Sequence, residues 1–531
     1  MMTDAGSTAP RAVAARRGRP VGRILGASVV ALSIAAFLPA LGHDFVNWDD
    51  EQNFLKNSGY RGVGPRQLGW MLSAYHLGHY TPLTWLTLGL DYSLWGMDAR
   101  GYHLTNVLLH AAAALAFYFL SLRLLRLAFS DGSHESAGAS ETSLRIGAAT
   151  AALLFAVHPL RVESVAWVTE RRDVLSGLFF VWAILAYLKA VGEGGRLRRG
   201  WYCGAVGLFA AALLSKASTV PLPLALLLLD VYPLRRLGAA RGWLVRHVWV
   251  EKLPFLLLAI PAVVVAFLAL LPLGNTPTLE QLPLAFRVMV AVYGLAFYVI
   301  KTVLPLDLSP LYQLPITVTW LHFALVIAGS VAAVTVRRRC PAFTAAWCSY
   351  VLILLPVLRI VQGGPQIVAD RYSYLSCLGW ALLAGGAAAR KWAGAGVVRA
   401  VAAAWILTLA ALTWQQTEIW RNSVTLWSHA VSVNAESRAA HANLARAYAA
   451  EGRTAPAVAH YEETLRLSLN KAPYHAIIGE IYEKSGQKRE ALGRFAEALR
   501  LMPGLPEACR GVKRLADGGG APPEMLTSCP P

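Results

Sequence analysis

The chain is short of charge. Only 15% of its 531 residues are charged and 56% are hydrophobic, against about 25% charged in ordinary soluble domains. That deficit argues against a wholly soluble protein. Acids are the scarcer sign, 31 against 49 Lys and Arg, which leaves a formal charge of +18. Such an excess would fit nucleic acid if it formed one patch. Here the basic residues sit in short loops: Arg11, Arg16, Arg17, Arg19 and Arg23; Arg123 and Arg126; Arg196, Arg198 and Arg199; Arg235, Arg236, Arg241 and Arg246; Arg337, Arg338 and Arg339; Arg390, Lys391 and Arg399. No nucleic-acid partner is expected. Cysteine is scarce too, six residues with no CxxC and no histidine cluster, so neither a disulfide framework nor a metal site is expected. Cys203, Cys348 and Cys377 fall in apolar stretches as small core residues, and Cys340 lies at the edge of one. Cys509 and Cys529 share the soluble end, where an oxidising compartment would allow them to pair.

What is abundant is long hydrophobic runs. A bilayer core about 30 Å thick takes roughly 20 mostly apolar residues per helical crossing. Twelve candidate stretches lie near 21–42, 103–125, 144–160, 173–191, 201–217, 219–233, 253–272, 286–304, 319–336, 342–361, 373–389 and 397–415. The fold class expected is all-α: a polytopic transmembrane bundle (21–417) with a large exterior loop (43–102), followed by a helical repeat module (418–516) and a disordered tail (517–531). The basic segment 1–20 is poor in acids, and 21–42 reads as a retained signal anchor. Lys and Arg near helix ends resist translocation, so the basic loops should face the cytoplasm. Twelve crossings would put Arg337–Arg339 and Arg390–Lys391 outside. The conflict disappears if 286–304, followed by Pro305, Pro310 and Pro315, is re-entrant or interfacial. The expectation is about eleven spans, a cytoplasmic N-terminus and an extracytoplasmic C-terminal module, in the plasma or inner membrane if the source is bacterial.

The soluble end carries a 34-residue repeat. Leu444, Ala445, Tyr448, Gly452, Ala457 and Tyr461 recur as Ile478, Gly479, Tyr482, Gly486, Ala491 and Phe495. That is the tetratricopeptide period and pattern, in which small residues let paired helices pack closely. Full repeats are expected over 438–471 and 472–505, with 422–433 as half of an earlier repeat and 506–516 as a capping helix. Such modules bind peptide, so an acceptor protein or peptide is the expected partner there.

Three polar clusters fall on the side opposite the basic loops. The first is HDFVNWDDEQNF (43–54), where Asp44, Asp49, Asp50 and Glu51 crowd at the end of the first span. They read either as a solvated cap or as catalytic acids. The second, HPLRVESVAWVTERRDVLS (158–176), holds His158, Arg161, Glu163, Glu170, Arg171, Arg172 and Asp173. The third is Asp370, Arg371 and Tyr372, with Lys216 outward-facing nearby in the topology. Mixed charge at membrane depth marks an anionic ligand or an ion-pair network. Arg171, Lys216 and Arg371 are candidates for a phosphate, with Asp173 orienting Arg171 and Asp370 orienting Arg371.

DFVNWDDE, YTPLTWLTLGLDY, GYHLTNVLLHA, HPLRVESVAWVTERRDVL, LLSKAS, ADRYSYLS and WRNSVTLWSHAVSVN occur in the order seen in the transmembrane and tetratricopeptide-repeat O-mannosyltransferase family, which the chain resembles from about 40 to 505. That family is similar in architecture to the GT-C glycosyltransferases. The resemblance implies a sugar donor on a polyprenyl- or dolichyl-phosphate carrier, taken from the membrane lipid at the exterior face. It implies catalysis by a first-loop acid, which here falls on Asp49 and Asp50. It also implies donor or substrate binding by His158, Glu163, Arg171, Asp173, Lys216, Arg371 and Tyr372. The cofactor is unspecified, with Asp49 and Asp50 able to ligate a divalent cation but no metal predicted. The expected function is transfer of a sugar, mannose by resemblance, to an acceptor hydroxyl on protein. The alternatives are a transferase acting on a surface glycan, and a membrane-anchored scaffold whose repeats recruit partners.

Overall fold

The computed structural model describes residues 9–130, 139–192, 197–238, 241–273, 281–313, 317–358, 360, 366–390, 394–517 and 529. Among them every regular element is helical, and each of the twelve apolar stretches coincides with a helix. Five helices are long and apolar enough to cross a membrane: Ala99–Phe129, Val168–Ala190, Arg246–Leu270, Leu284–Val303 and Ala395–Ile419. Glu141–Ala156 and Pro159–Ala166 pass the same test together but bend by 58° at their junction. Pro20–Ala36, Ala217–Val231, Trp320–Thr335, Pro341–Val357 and Leu378–Ala389 are shorter apolar helices, and Arg199–Ser215 accounts for the remaining stretch.

The segment 286–304, expected to be re-entrant or interfacial, lies in an unbroken 20-residue helix, Leu284–Val303, that is long enough to cross a membrane. Pro305 and Pro310 fall beyond its C-terminus. A proline interrupts a helix only from within, where it removes an N–H and crowds the preceding turn.

The chain divides into two compact units. The first comprises Met1–Asp44, Gln52–Leu308 and Tyr312–Glu418. Its helices approach closely where glycines face each other, as expected of apolar bundles. A Cβ on Gly147 would strike the Gly385 carbonyl oxygen, and one on Gly385 would strike that of Gly147, so Glu141–Ala156 and Leu378–Ala389 pack backbone to backbone. A Cβ on Gly177 would lie 2.5 Å from the Tyr374 ring. This close approach sets the Arg171–Ala190 helix against the turn that carries Arg371. His110, fully buried, joins the same region through bonds of 2.9 Å to the Tyr374 hydroxyl and 2.9 Å to the Ala156 carbonyl.

The second unit comprises Phe45–Glu51, Ser309–Leu311 and Ile419–Pro531. Ser423–Val433 is the expected half repeat, capped by Asn422 and Thr425. Arg438–Ala450 with Thr454–Arg466, and Ala472–Lys484 with Lys488–Leu501, are the two helix pairs, followed by Pro506–Asp517. Gly452 (φ 73°) and Gly486 (φ 80°), one period apart, turn each pair through the left-handed region that glycine enters without strain. Cys509 and Cys529 form a disulfide with their Cα atoms 5.6 Å apart. The rest of the tail, expected to be disordered, lies outside the described residues except for Asp517, which ends the last helix. That Phe45–Glu51 belongs with the repeats rather than with the apolar helices around it was not foreseen from the sequence.

Candidate functional site

Pro159 ends the regular helix, and the chain then passes through a 3₁₀ turn, the short helix Val162–Ala166 and a second 3₁₀ turn, Val168–Glu170, before Arg171–Ala190 begins. These tight turns concentrate charged side chains in a small volume. Glu163 pairs with the Arg371 guanidinium, and its other oxygen accepts from the Arg371 backbone N–H at 2.8 Å. Glu170 accepts from Arg172 (2.7 Å), Lys216 (2.9 Å) and Arg371 Nε (3.2 Å). Asp173 accepts from Lys216 at 2.6 Å and from Ser164 Oγ at 3.2 Å. Arg371 also donates to Gln366 at 2.9 Å and lies over the rings of Trp167 and Tyr372, 5.5 and 5.1 Å from their centroids. The structure therefore brings together Glu163, Asp173, Lys216, Arg371 and Tyr372. Glu170 lies at their centre and Arg172 beside it.

Three cations converge here from separate segments, and their side chains keep a small exposure: 10% for Arg371, 11% for Arg172 and 14% for Lys216. His79, which the motif reading passed over, completes the group. Its ring is exposed, yet enough protein surrounds it that burial, followed by the nearby Arg172, holds the imidazole well below its usual pKa. Glu170, Lys216 and Arg371 act on it as well. His79 therefore lies within electrostatic reach of the cluster. Leu77 and Gly78, both at positive φ (48° and 75°), turn the chain just before His79, and no motif marked it in the sequence.

Two expected partnerships are corrected. Arg171 is oriented by Asp91 (2.6 Å), not Asp173, and also donates to Asn106 and to the Tyr102 carbonyl at 2.7 Å. It is fully buried (0% exposed), so it braces the helices and offers no accessible face to a phosphate. Burial raises the Asp91 carboxyl, and the Arg171 guanidinium opposes that rise. Arg371 is oriented by Glu163 and Glu170, not Asp370. Asp370 instead accepts from the Tyr312 hydroxyl at 2.9 Å, and burial, then the charge of Glu163, pushes its pKa well above the carboxylate range. His158 is a turn cap: one ring nitrogen meets the Leu160 N–H at 3.2 Å and the other the Thr302 carbonyl at 3.0 Å.

Asp49 and Asp50 belong to the second unit. Asp50 is 1% exposed and accepts from the Val46 N–H at 3.1 Å, which closes the turn on itself. Asp49 is half-buried. The turn is held to the repeats by Asn47, whose N–H meets Ser423 Oγ at 2.8 Å. Its side chain donates to the Asn443 carbonyl at 3.0 Å and accepts from Trp427 Nε1 at 2.6 Å. The Trp48 and Trp427 rings meet edge-on at 4.9 Å, and Arg446 approaches Glu51 at 4.0 Å. Among the described residues no group of three or more His, Cys, Asp and Glu is placed to hold a metal ion.

Residues 440–472 match the tetratricopeptide repeat family. The chain is 26% identical over 498 residues, 80% of its length and 52% of theirs, to protein O-mannosyl-transferase Tmtc3 of Drosophila melanogaster. It is 26% identical over 494 residues, 87% of its length and 65% of theirs, to protein O-mannosyl-transferase F38B6.6 of Caenorhabditis elegans. A solved structure of ArnT from Cupriavidus metallidurans bound to undecaprenyl phosphate aligns with 89% of this chain and 80% of that one, at 14% identity and a TM-score of 0.37. The chain spans about half to two thirds of the length of the relatives it matches. Over most of its own length it is similar to proteins named protein O-mannosyl-transferase, the resemblance its motifs carry.

Proposed function

We propose that this chain is a membrane glycosyltransferase of O-mannosyltransferase type. It moves a sugar from a polyprenyl- or dolichyl-phosphate carrier to an acceptor hydroxyl at the exterior membrane face, on a protein or peptide held by the repeats. The observation that carries this reading is the convergence of Arg172, Lys216 and Arg371 on Glu170, within electrostatic reach of His79. Charge placed in an apolar bundle is costly and is kept where a ligand or ion needs it. A departing lipid phosphate needs fixed cations rather than a proton donor, and such preorganised charge is worth most where water is scarce. Arg371 and Lys216 take the donor phosphate in this reading, while Glu163 and Asp173 fix their geometry. Arg171 and His158 act as struts. Asp49 takes the proton of the attacking hydroxyl, and Asp50 holds the turn that presents it.

The Cys509–Cys529 disulfide supports an extracytoplasmic repeat module, since such bonds persist in oxidising compartments. A reporter that matures only outside the cytoplasm, fused after residue 505, tests that orientation and should be active.

The activity test uses the full chain in proteoliposomes with polyprenyl-phosphate mannose and a Ser/Thr-rich peptide. Asp49→Asn keeps the shape and removes the base, so turnover should fall about 10²–10⁴-fold. Undiminished transfer in Asp49→Asn would move the base elsewhere. The complete pairing of Glu163, Glu170 and Asp173 with cations favours a second reading, a scaffold whose charges only staple the bundle. Absence of transfer from any polyprenyl-phosphate sugar would favour that scaffold.

A further inference from the structure

The helices Ala99–Phe129, Arg171–Ala190, Leu222–Val231, Pro341–Leu354 and Leu378–Ala389 line a half-open cavity of about 400 Å³. It exists because the facing positions are small: Ala345, Ala346, Gly379 and Gly386 stand where larger side chains would close it. Packing does not demand every one of them. A Cβ on Gly386 would come no nearer than 3.6 Å to Leu125, an ordinary contact. The lining is otherwise apolar apart from a few neutral polar groups, and among the described residues its single charged member is Arg390.

Arg390 lies at the arginine-rich end of the first unit. Arg126 and Arg145 there share Glu141, and Arg399 donates to the Ala388 carbonyl at 3.1 Å. Arg390 is exposed and makes no ion pair among the described residues. The cavity is separate from the charged cluster. Phe180, the wall residue nearest to it on that helix, lies seven residues beyond Asp173, about 10 Å at 1.5 Å per residue.

We infer that this cavity takes one acyl chain of an anionic phospholipid, with the headgroup phosphate on Arg390. An apolar chamber rimmed by one unpaired cation matches a ligand that is a hydrocarbon at one end and an anion at the other. Free phosphate would leave the apolar wall uncovered, and a zwitterionic lipid would give Arg390 less to hold. A helix about 10 Å across would exhaust the volume in roughly one turn. The tail of a donor held at Arg371 would bring no charge to Arg390. The inference does not depend on the transfer activity.

The test uses the full chain in phosphatidylcholine nanodiscs doped with phosphatidylglycerol that carries a photoactivatable diazirine at one chain end, with adducts mapped by mass spectrometry. Adducts should fall on Phe117 and Leu378, at the end of the cavity away from Arg390, and unlabelled phosphatidylglycerol should compete better than phosphatidylcholine. Arg390→Gln should cut labelling about fivefold, the effect of one basic group at a membrane surface. Ala345→Trp should abolish it by filling the cavity. If that variant misfolds, Gly386→Leu narrows the cavity from a position with room for the side chain. Equal competition by phosphatidylcholine, unchanged labelling in Arg390→Gln, or displacement by polyprenyl phosphate at lower concentration than phosphatidylglycerol would each overturn the assignment.

Discussion

Two buried charge networks lie within the first unit, and they differ in kind. At one, Asp230 takes Arg236 (2.9 Å) and Lys252 (2.6 Å), and both its oxygens also accept from the Tyr187 hydroxyl. Glu251 closes the ring with Arg236 at 2.6 Å. Two acids face two cations, Lys252 is 1% exposed, and each acid lies within 3.9 Å of both cations. At the other, around Glu170, the same kinds of residue sit on turns between helices and act on His79. The first network holds three segments together, and the second joins the turns around Glu170 to Lys216 and Arg371. Neither ion pairing nor exposure separates a staple from a site, since Arg236 is 15% exposed against 14% for Lys216 and 10% for Arg371. What separates them is whether a substitution changes the response to a ligand.

Substitutions on each side test that contrast. Lys252→Met leaves acids buried without one of their cations, and breaking such a pair costs about 3–5 kcal/mol. Thermal unfolding in detergent should show that loss, while the surviving folded protein keeps its dependence on donor concentration. A changed donor dependence would erase the distinction. Arg371→Lys keeps the charge but loses the planar fork. One lost charge-assisted bond of about 1.5 kcal/mol predicts a roughly tenfold weaker donor dependence with a smaller change in stability. Reduced stability with unchanged donor dependence would reassign the Glu170 cluster as a second staple.

The smallest expected effect is with pH. The His79 imidazole is held below its usual 6.5, first by burial and then by Arg172, so the unfolded chain takes up the proton first. Stability from this source is intact above about pH 6.5 and falls as the pH drops below it. Thermal unfolding from pH 7.5 to 5 should show the decline in the parent and less of it in His79→Gln. Identical profiles would mean that His79 does not feel the cluster.

The apolar helices and the repeats were legible because each is written locally, as a run of about 20 residues or a period of 34. Seven of the nine proposed site residues, His158, Glu163, Arg171, Asp173, Lys216, Arg371 and Tyr372, belong to the first unit, and five of those gather around Glu170. Their pairing was not legible. Nothing near Arg171 in the chain points to Asp91, because that contact depends on how two helices cross. His79 was hidden for the same reason, as its neighbours come from residues 170–172, 216 and 371. The membership of Phe45–Glu51 was hidden too, since its partners lie hundreds of positions away.

That last contact bears on how the protein is made. Asn47 is bound to Ser423 across 376 positions. At about 5–20 residues per second, roughly 20–75 s of synthesis separates the emergence of the two. Through that interval the turn carrying Asp49 and Asp50 waits without its docking surface, and only a chain made past Ser423 can set the acid pair in place.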